Sequence, residues 1–146
     1  MPKTPFRYLS HTADVEFVAY GRDLKEAIEN SALALLNVAL DVKKIREAKG
    51  EKGEANIREK ADTAENLVWF TLQDILSKRA ASYLSAFQFK VTRLAETKGG
   101  FRLEGKLSYK RIKEDYTMLD IKAVTPHGLK IAKTEKGYSI NVIIDV

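Results

Sequence analysis

The hydrophobic pattern changes its period along the chain, and this change is the feature that most constrains the fold. Over residues 24–40 and 64–83, apolar residues recur at helical spacing, which predicts two amphipathic helices. Over residues 101–109 and 138–144, apolar and polar residues alternate, which is typical of strands with one buried face. Helices and strands that occur in blocks favour an α+β fold, here with a largely antiparallel sheet of about six to eight strands.

Both predicted helices have recognisable start signals. Asp23 can cap the first helix, and Glu26 three residues later completes a pattern like a capping box. Asp62 or Thr63 can cap the second helix. Each helix carries an apolar stripe that we expect to pack in the core. The stripes consist of Leu24, Ile28, Ala32, Leu35, Leu36 and Ala39 in the first helix, and of Val68, Leu72, Ile75, Leu76, Ala80 and Tyr83 in the second, with Leu67 and Trp69 beside it.

Strands are predicted before, between and after the two helices. A turn at residues 97–100 predicts a hairpin between the strand at residues 87–91 and the strand at residues 101–109. The other predicted strands cover residues 7–9, 15–20, 54–59, 117–125, 129–134 and 138–144. The pattern does not fix the order of these strands in a sheet.

Length and rare residue types exclude several kinds of protein. A chain of 146 residues is expected to form a single domain over residues 1–146. It has no Cys and two His, which excludes disulfides, thiol nucleophiles and zinc centres that need Cys or three His. No apolar run approaches the roughly 18 residues of a membrane span, and no signal core follows the first residues. We therefore expect a cytoplasmic protein without membrane contact.

The positive charge is spread through the sequence. The chain has 25 Lys+Arg and 20 Asp+Glu, hence a formal net charge of +5. Basic residues concentrate at residues 43–52 and 106–113, but acidic residues dilute the first group. We interpret this charge as an ordinary solvated surface, and both direct RNA contact and an acidic protein partner stay open.

Carboxylates near the two ends of the sequence form a candidate metal site. Asp14 ends a polar run between two apolar segments, and Asp145 and Val146 close the last predicted strand. Carboxylate and main-chain oxygens are the ligands that Ca²⁺ and Mg²⁺ prefer. If the first loop meets the last strand, Asp14, Asp145 and the oxygens of Val146 would form a small cation site. The alternative is a turn or cap role for Asp14 and an end-of-strand charge for Asp145.

Other polar residues are weaker candidates. Glu16 follows Asp14 at strand spacing, so both side chains could point to one side. His127 lies on a Pro-Gly bend, where function is common, although a solvated side chain is the alternative. Asp120 is interpreted as an exposed carboxylate on a strand near Lys122, and Trp69 as a core residue.

The sequence lacks the catalytic signatures that spacing alone can identify. It contains no P-loop, no dinucleotide-binding glycine pattern, no nucleophile elbow and no zincin motif. A protein that acts by binding is therefore favoured over an enzyme. A stand-alone metal-dependent enzyme that acts on RNA or nucleotides remains an alternative.

Four segments, in their order and spacing, resemble the signatures of the archease family, and the resemblance covers essentially the whole chain. They lie around the polar run, at the start of the first helix, around the Pro-Gly bend and at the end of the last strand. They read His11-Thr12-Ala13-Asp14-Val15 with Ala19-Tyr20-Gly21, Asp23-Leu24-Lys25-Glu26-Ala27, Ile121-Lys122-Ala123-Val124-Thr125 with His127 and Leu129-Lys130-Ile131, and Val142-Ile143-Ile144-Asp145-Val146.

The resemblance implies a non-catalytic accessory protein of RNA processing. Its expected partner is an RtcB-type RNA-splicing ligase, which joins RNA ends, including tRNA exon halves. Archeases promote guanylylation of this ligase and its multiple turnover. The alternative partner is a tRNA cytosine-5 methyltransferase, toward which the protein would be a chaperone-like modulator. The resemblance also implies a divalent-cation site at Asp14, Asp145 and Val146, with Ca²⁺ preferred over Mg²⁺ or Mn²⁺.

Two positions depart from the family pattern. Pro126 stands where the family often has an aromatic residue, and Glu16 stands where it often has Gly. Pro126 is expected to stiffen its loop, because proline fixes φ and lacks an N–H donor. Glu16 could add a carboxylate to the cation site or face water. Glu16, Lys122 and His127 are the residues that we expect to contact the partner.

Overall fold

The computed structural model of the protein describes residues 4–9, 14–82 and 85–146. These residues form eight strands and three helices. The strands are β1 (Phe6–Leu9), β2 (Val15–Gly21), β3 (Glu51–Ala61), β4 (Ser85–Thr97), β5 (Gly100–Arg111), β6 (Ala123–Val124), β7 (Lys130–Thr134) and β8 (Gly137–Asp145), and the helices are α1 (Leu24–Ala39), α2 (Val42–Glu47) and α3 (Ala64–Ser82).

The strands form two separate antiparallel sheets. The first sheet has the order β1-β2-β8-β6, and β7 also pairs with β8. The second sheet has the order β3-β5-β4. The predicted α+β class with mainly antiparallel strands is therefore confirmed, while the division into two sheets was not anticipated by the sequence pattern.

Helices α1 and α3 lie between the sheets. Helix α1 packs against β2 and β8 on one side and against β4 on the other. Helix α3 packs against β3 and β5, and it also reaches β6. Because α1 touches both sheets, it is buried around more of its circumference than one stripe. Its buried residues are Ala27, Ile28, Ser31, Ala32, Ala34, Leu35, Leu36 and Ala39.

The start of α1 follows the predicted capping pattern, with one difference. The Asp23 carboxylate accepts a hydrogen bond from the Glu26 N–H at 2.8 Å. The Glu26 carboxylate accepts from the N–H of Arg22 at 2.9 Å, one residue before the cap. At α3, the Thr63 hydroxyl accepts from the Asn66 N–H at 3.1 Å. Both helices therefore begin where the sequence predicted.

The predicted strand at residues 117–125 is mostly wrong. Within it, only Ala123–Val124 forms a strand, and Thr117 makes an isolated bridge with Leu40. The N–H groups of Met118 and Leu119 donate to the carbonyl of Ala39 at the end of α1. Because these donors are used by the helix end, the segment cannot join a regular ladder, and Asp120 is exposed outside any strand.

The predicted stripe of α3 is correct for four residues and wrong for Ala80. Val68, Leu72, Ile75 and Leu76 are buried, whereas Ala80 is exposed. Arg79 is buried instead, and its guanidinium donates to the Thr117 hydroxyl. Long Arg side chains can bury their stems, which explains why a polar residue occupies this position. Tyr83, the last predicted member, lies outside the described residues.

Helix α2 was not predicted. It has six residues, too few for a hydrophobic period to be recognised. Asp41 caps it by accepting from the Lys44 N–H at 3.2 Å, and the buried Lys110 ammonium donates to the Arg46 and Ala48 carbonyls at its other end. No helix among the described residues is both long enough and apolar enough to cross a lipid bilayer.

We expect Leu72→Ala to lower the free energy of unfolding by about 2–5 kcal/mol, because Leu72 is fully buried in the helix layer. Ala80→Gln on the same helix is the control, and it should change stability by less than about 0.5 kcal/mol because Ala80 is exposed. Chemical denaturation of both variants checks this. Equal losses would contradict the assignment of the two faces of α3.

Candidate functional site

The candidate site lies at one end of the central strand β8. On one side of β8, strand β2 pairs Val15 with Ile144. On the other side, strand β6 pairs Ala123 with Asp145. Asp14 is the bend residue directly before Val15, and Asp145 directly follows Ile144. The first loop therefore does end beside the last strand, as a shared site requires.

Alternation along the strands sorts the side chains at this end into two faces. Phe17, Val142 and Ile144 point to the helix layer and are fully buried. Asp145 lies on the opposite face, because it directly follows Ile144 along β8.

The donor set at this edge fits a hard divalent cation in part. Asp145 is exposed, while Asp14 and Val146 are half-buried. Two carboxylates and main-chain oxygens are suitable Ca²⁺ ligands, but Ca²⁺ takes about six to eight oxygens. Across the described ranges, no group of three or more His, Cys, Asp or Glu side chains is close enough to hold a metal ion. Water or a partner would therefore have to complete the coordination.

Of the three predicted partner residues, Lys122 lies next to Asp145, Glu16 lies two residues after Asp14, and His127 lies on the loop after β6. The Lys122 N–H donates to the Asp145 carbonyl at 2.9 Å, while the Lys122 side chain is exposed. Glu16 is half-buried, and its carboxylate accepts from the Asn141 amide at 3.5 Å, so it is held along the strands. His127 is exposed, and its carbonyl accepts from the Thr125 hydroxyl at 2.9 Å.

The loop that carries His127 is tied closely to β8. The Thr125 N–H donates to the Ile143 carbonyl at 3.0 Å, and its hydroxyl also reaches that carbonyl at 3.2 Å. Gly128 has a φ of +79°, and a Cβ there would lie 2.6 Å from the Ile143 Cδ1 atom. A side chain at this position would therefore meet backbone strain, and the flexible end of the Ile143 side chain would have to move.

Helix α3 contacts β6 on the side opposite β8. The sequence pattern did not predict this contact. The Trp69 indole N–H donates to the Val124 carbonyl at 2.7 Å, and the Gln73 amide oxygen accepts from the Val124 N–H at 2.6 Å. Trp69 was interpreted only as a core residue. A Trp and a Gln four residues apart share one helix face, and their polar groups were the available signal.

The other neighbour of β2 is fixed by a tyrosine. The Tyr8 hydroxyl on β1 donates to the Ala34 carbonyl of α1 at 2.8 Å, and its ring contacts Phe6 and Phe17 edge-on. Burial raises the pKa of Tyr8 to about 12. His11, Thr12 and Ala13, which carry part of the first signature, lie between β1 and β2 and outside the described residues.

Comparison with known proteins identifies the family. The model of the Archease protein family (MTH1598/TM1083) matches residues 6–146. Proteins named archease from Methanosarcina acetivorans and Methanosarcina barkeri are 32% and 33% identical to this chain, and each alignment covers 97% of this chain and 95% of the relative. The chain therefore belongs to the archease family.

Two solved structures have the same fold. The solution structure of Methanobacterium thermoautotrophicum protein 1598 has a TM-score of 0.83 at 28% identity, and the match covers 97% of this chain and 99% of that one. The crystal structure of a Thermotoga maritima protein, described as an archease and possible chaperone, has a TM-score of 0.59 at 19% identity. That match covers 100% of this chain and 98% of the other.

We expect Trp69→Phe to destabilise the β6 edge of the site, because it removes the donor of the Val124 carbonyl. The expected loss is about 1–3 kcal/mol, the usual cost of leaving a buried acceptor unsatisfied. Hydrogen exchange should accelerate most at the amides of Lys122 and Thr125, which donate to β8. The amides between β3 and β5 serve as the internal control, and equal acceleration there would contradict a local role.

Proposed function

We propose that this protein is a non-catalytic accessory factor of RNA processing that activates an RtcB-type RNA-splicing ligase. It would do so by promoting guanylylation of the ligase and its multiple turnover, as in tRNA splicing. Membership of the archease family supports the proposal. The structural observation that supports it is the pairing of Val15 with Ile144, which brings the start of β2 beside the end of β8.

A protein of this kind acts by preferring one state of its partner. To accelerate guanylylation, it must bind the ligase state that accepts the guanylyl group more tightly than the stalled state. Asp14 and Asp145 would supply negative charge that can hold or position metal ions at the ligase centre. Asp14 and Asp145 are together called the acidic edge. Lys122 and His127 lie toward β6, where they would contact the ligase surface.

Asp14, Asp145 and the main-chain oxygens of Val146 would hold the divalent cation, with Ca²⁺ as the preferred ion. A bound cation would neutralise the two carboxylates and fix their orientation. The open coordination positions described above are where water or a carboxylate of the ligase would bind. In the complex, a ligase carboxylate would replace water in the coordination of the cation.

A chaperone-like role toward a tRNA cytosine-5 methyltransferase is the second candidate. Its supporting observation is the apolar exposure of the β5–β6 connection, where Met118 is 64% and Leu119 is 39% exposed. Exposed apolar surface is typical of sites that bind other proteins. This role predicts suppression of methyltransferase aggregation, and it does not require the acidic edge.

Calcium binding is testable without any partner. In calorimetric titrations of the full chain with CaCl₂, Asp14→Asn and Asp145→Asn should each weaken binding by at least about tenfold, because Ca²⁺ affinity depends on the number of charged ligands. Glu135→Gln removes an exposed carboxylate at the β7–β8 turn and is the matched control. Unchanged affinity in both Asp variants would contradict the site.

Ligase activation is tested by RNA ligation with RNA in excess over the ligase, GTP and divalent metal. Substoichiometric addition of the protein should accelerate guanylylation and allow many turnovers. Asp14→Asn and Asp145→Asn should reduce this acceleration by at least about tenfold at unchanged melting temperature, within the usual range of coupling between sites. Glu135→Gln should activate fully.

Three results would redirect the proposal. Full activation by both folded Asp variants would exclude the acidic edge as the contact. No acceleration of a ligase of verified activity, together with suppressed aggregation of a methyltransferase, would favour the chaperone-like role. Ligation or nucleotide turnover in a control that lacks ligase would show that the protein is itself an enzyme.

A further inference from the structure

The solvent-facing side of the β3–β5–β4 sheet has an unusual composition. Helices α1 and α3 cover the other side of this sheet. Four consecutive rows of the register, three residues each across β3, β5 and β4, lie on the solvent side and comprise twelve residues. The rows are Glu54-Ser108-Gln88, Asn56-Lys106-Lys90, Arg58-Glu104-Arg93 and Lys60-Arg102-Ala95, and together they are called the basic face.

The basic face carries most of the net charge of the protein. Six of its twelve side chains are Lys or Arg and two are Glu, which leaves a net charge of +4. The formal net charge of the chain is +5. Because acidic residues are interleaved with the basic ones, the sequence alone favours an ordinary solvated surface. The sheet register brings the basic residues together.

Both acidic residues of the basic face are already used in ion pairs. Glu104 lies 3.6 Å from the Arg58 Nε atom, and Glu54 lies 3.9 Å from the Lys106 ammonium. Four cations remain, namely Lys60, Lys90, Arg93 and Arg102. Among the described residues, no carboxylate is within ion-pair distance of these four.

Like charges face each other across the strands. Lys60 is directly opposite Arg102, and Lys90 is directly opposite Lys106. Cβ atoms of such pairs are about 4.5–5.5 Å apart, and like charges at this separation repel each other. A bound polyanion would relieve this repulsion, since it places negative charge between the paired cations.

The four remaining cations follow a continuous, bent path. The path runs from Lys60 on β3 to Arg102 on β5, then to Arg93 and Lys90 along β4. Strand spacing of about 4.8 Å makes the three-stranded face only about 10 Å wide. A flexible single strand can follow such a path. Two surface recesses of about 360 Å³ each flank its start, and Lys60 and Arg102 line both.

The basic face lacks what a protein partner would need. Interfaces between proteins usually contain buried aromatic or aliphatic anchors and few Lys residues at the centre. Ala95 is the one apolar residue among the twelve. The face also has no aromatic side chain on which a base could stack, so contact with phosphates and not with bases is expected.

We propose that the basic face binds the phosphodiester backbone of single-stranded nucleic acid without reading its bases, through Lys60, Lys90, Arg93 and Arg102. This site is on the second sheet, whereas the acidic edge is on the first. The proposal does not depend on a ligase, and its test below contains none, so either proposal can fail alone.

The test is fluorescence anisotropy of a labelled oligouridine of about twelve nucleotides, with the full chain as titrant, at about 50 to 200 mM salt. Four phosphate contacts predict a slope of about −2.8 for log affinity against log salt, since each contact on a single strand contributes about −0.7. Affinity should therefore fall by about fifty-fold over that range. Oligothymidine of the same length should bind about as well.

Lys60→Gln/Arg102→Gln removes two of the four contacts. We expect a slope of about −1.4 and at least about tenfold weaker binding at about 50 mM salt. Lys130→Gln/Lys136→Gln is the matched control, because it removes the same charge from exposed positions on β7 and the following turn. The control should keep the original slope.

Several outcomes would overturn the proposal. Equal effects of the two double variants would show that net charge alone governs binding. Binding of poly-glutamate with no binding of oligouridine would assign the basic face to an acidic protein. A large preference for oligouridine over oligothymidine would contradict contact through the phosphates alone.

Discussion

The burial of α1 on two sides is the constraint on which the rest of the structure depends. An α-helix satisfies its own backbone hydrogen bonds, so it can be enclosed without leaving unpaired polar groups. The small residues Ala27, Ala32, Ala34 and Ala39 allow both sheets to approach it closely. Ser31 is also enclosed, and its hydroxyl donates to the Ala27 carbonyl at 2.9 Å. This helix joins two sheets that do not share a strand, and so it fixes where their outer faces point.

Much of the fold could be predicted because apolar residues recur at a regular spacing along its helices and strands. The hairpin between β4 and β5 follows from alternation and from the glycines at its turn, since Gly100 has a φ of +133° that other residues rarely adopt. The caps at Asp23 and Thr63 placed both long helices correctly. The strand at residues 117–122 was mispredicted because the N–H groups of Met118 and Leu119 donate to the end of α1, an arrangement that local alternation cannot reveal. The separation into two sheets depends on long-range pairing, which was also beyond the pattern.

The candidate site was predictable only in part, because it also depends on long-range strand pairing. Asp14 and Asp145 were recognised as carboxylates at odd places, but their adjacency depended on whether β2 and β8 are neighbours. The register makes β2 and β8 neighbours and pairs Val15 with Ile144 at this end. The basic face was not predicted, because its cations are dispersed over residues 58–106 and become neighbours only through the β3–β5–β4 pairing.

The hydrogen bond between Trp69 and Val124 also gives the protein an optical property. Trp69 is the sole tryptophan of the chain, and its indole binds the strand that pairs with Asp145. Indole emission responds to hydrogen bonding and to nearby charge. Tryptophan fluorescence of the unmodified protein therefore arises from one position, beside the strand that pairs with Asp145. A change in the charge of the acidic edge would therefore change the emission of Trp69, and no added label would be needed to observe it.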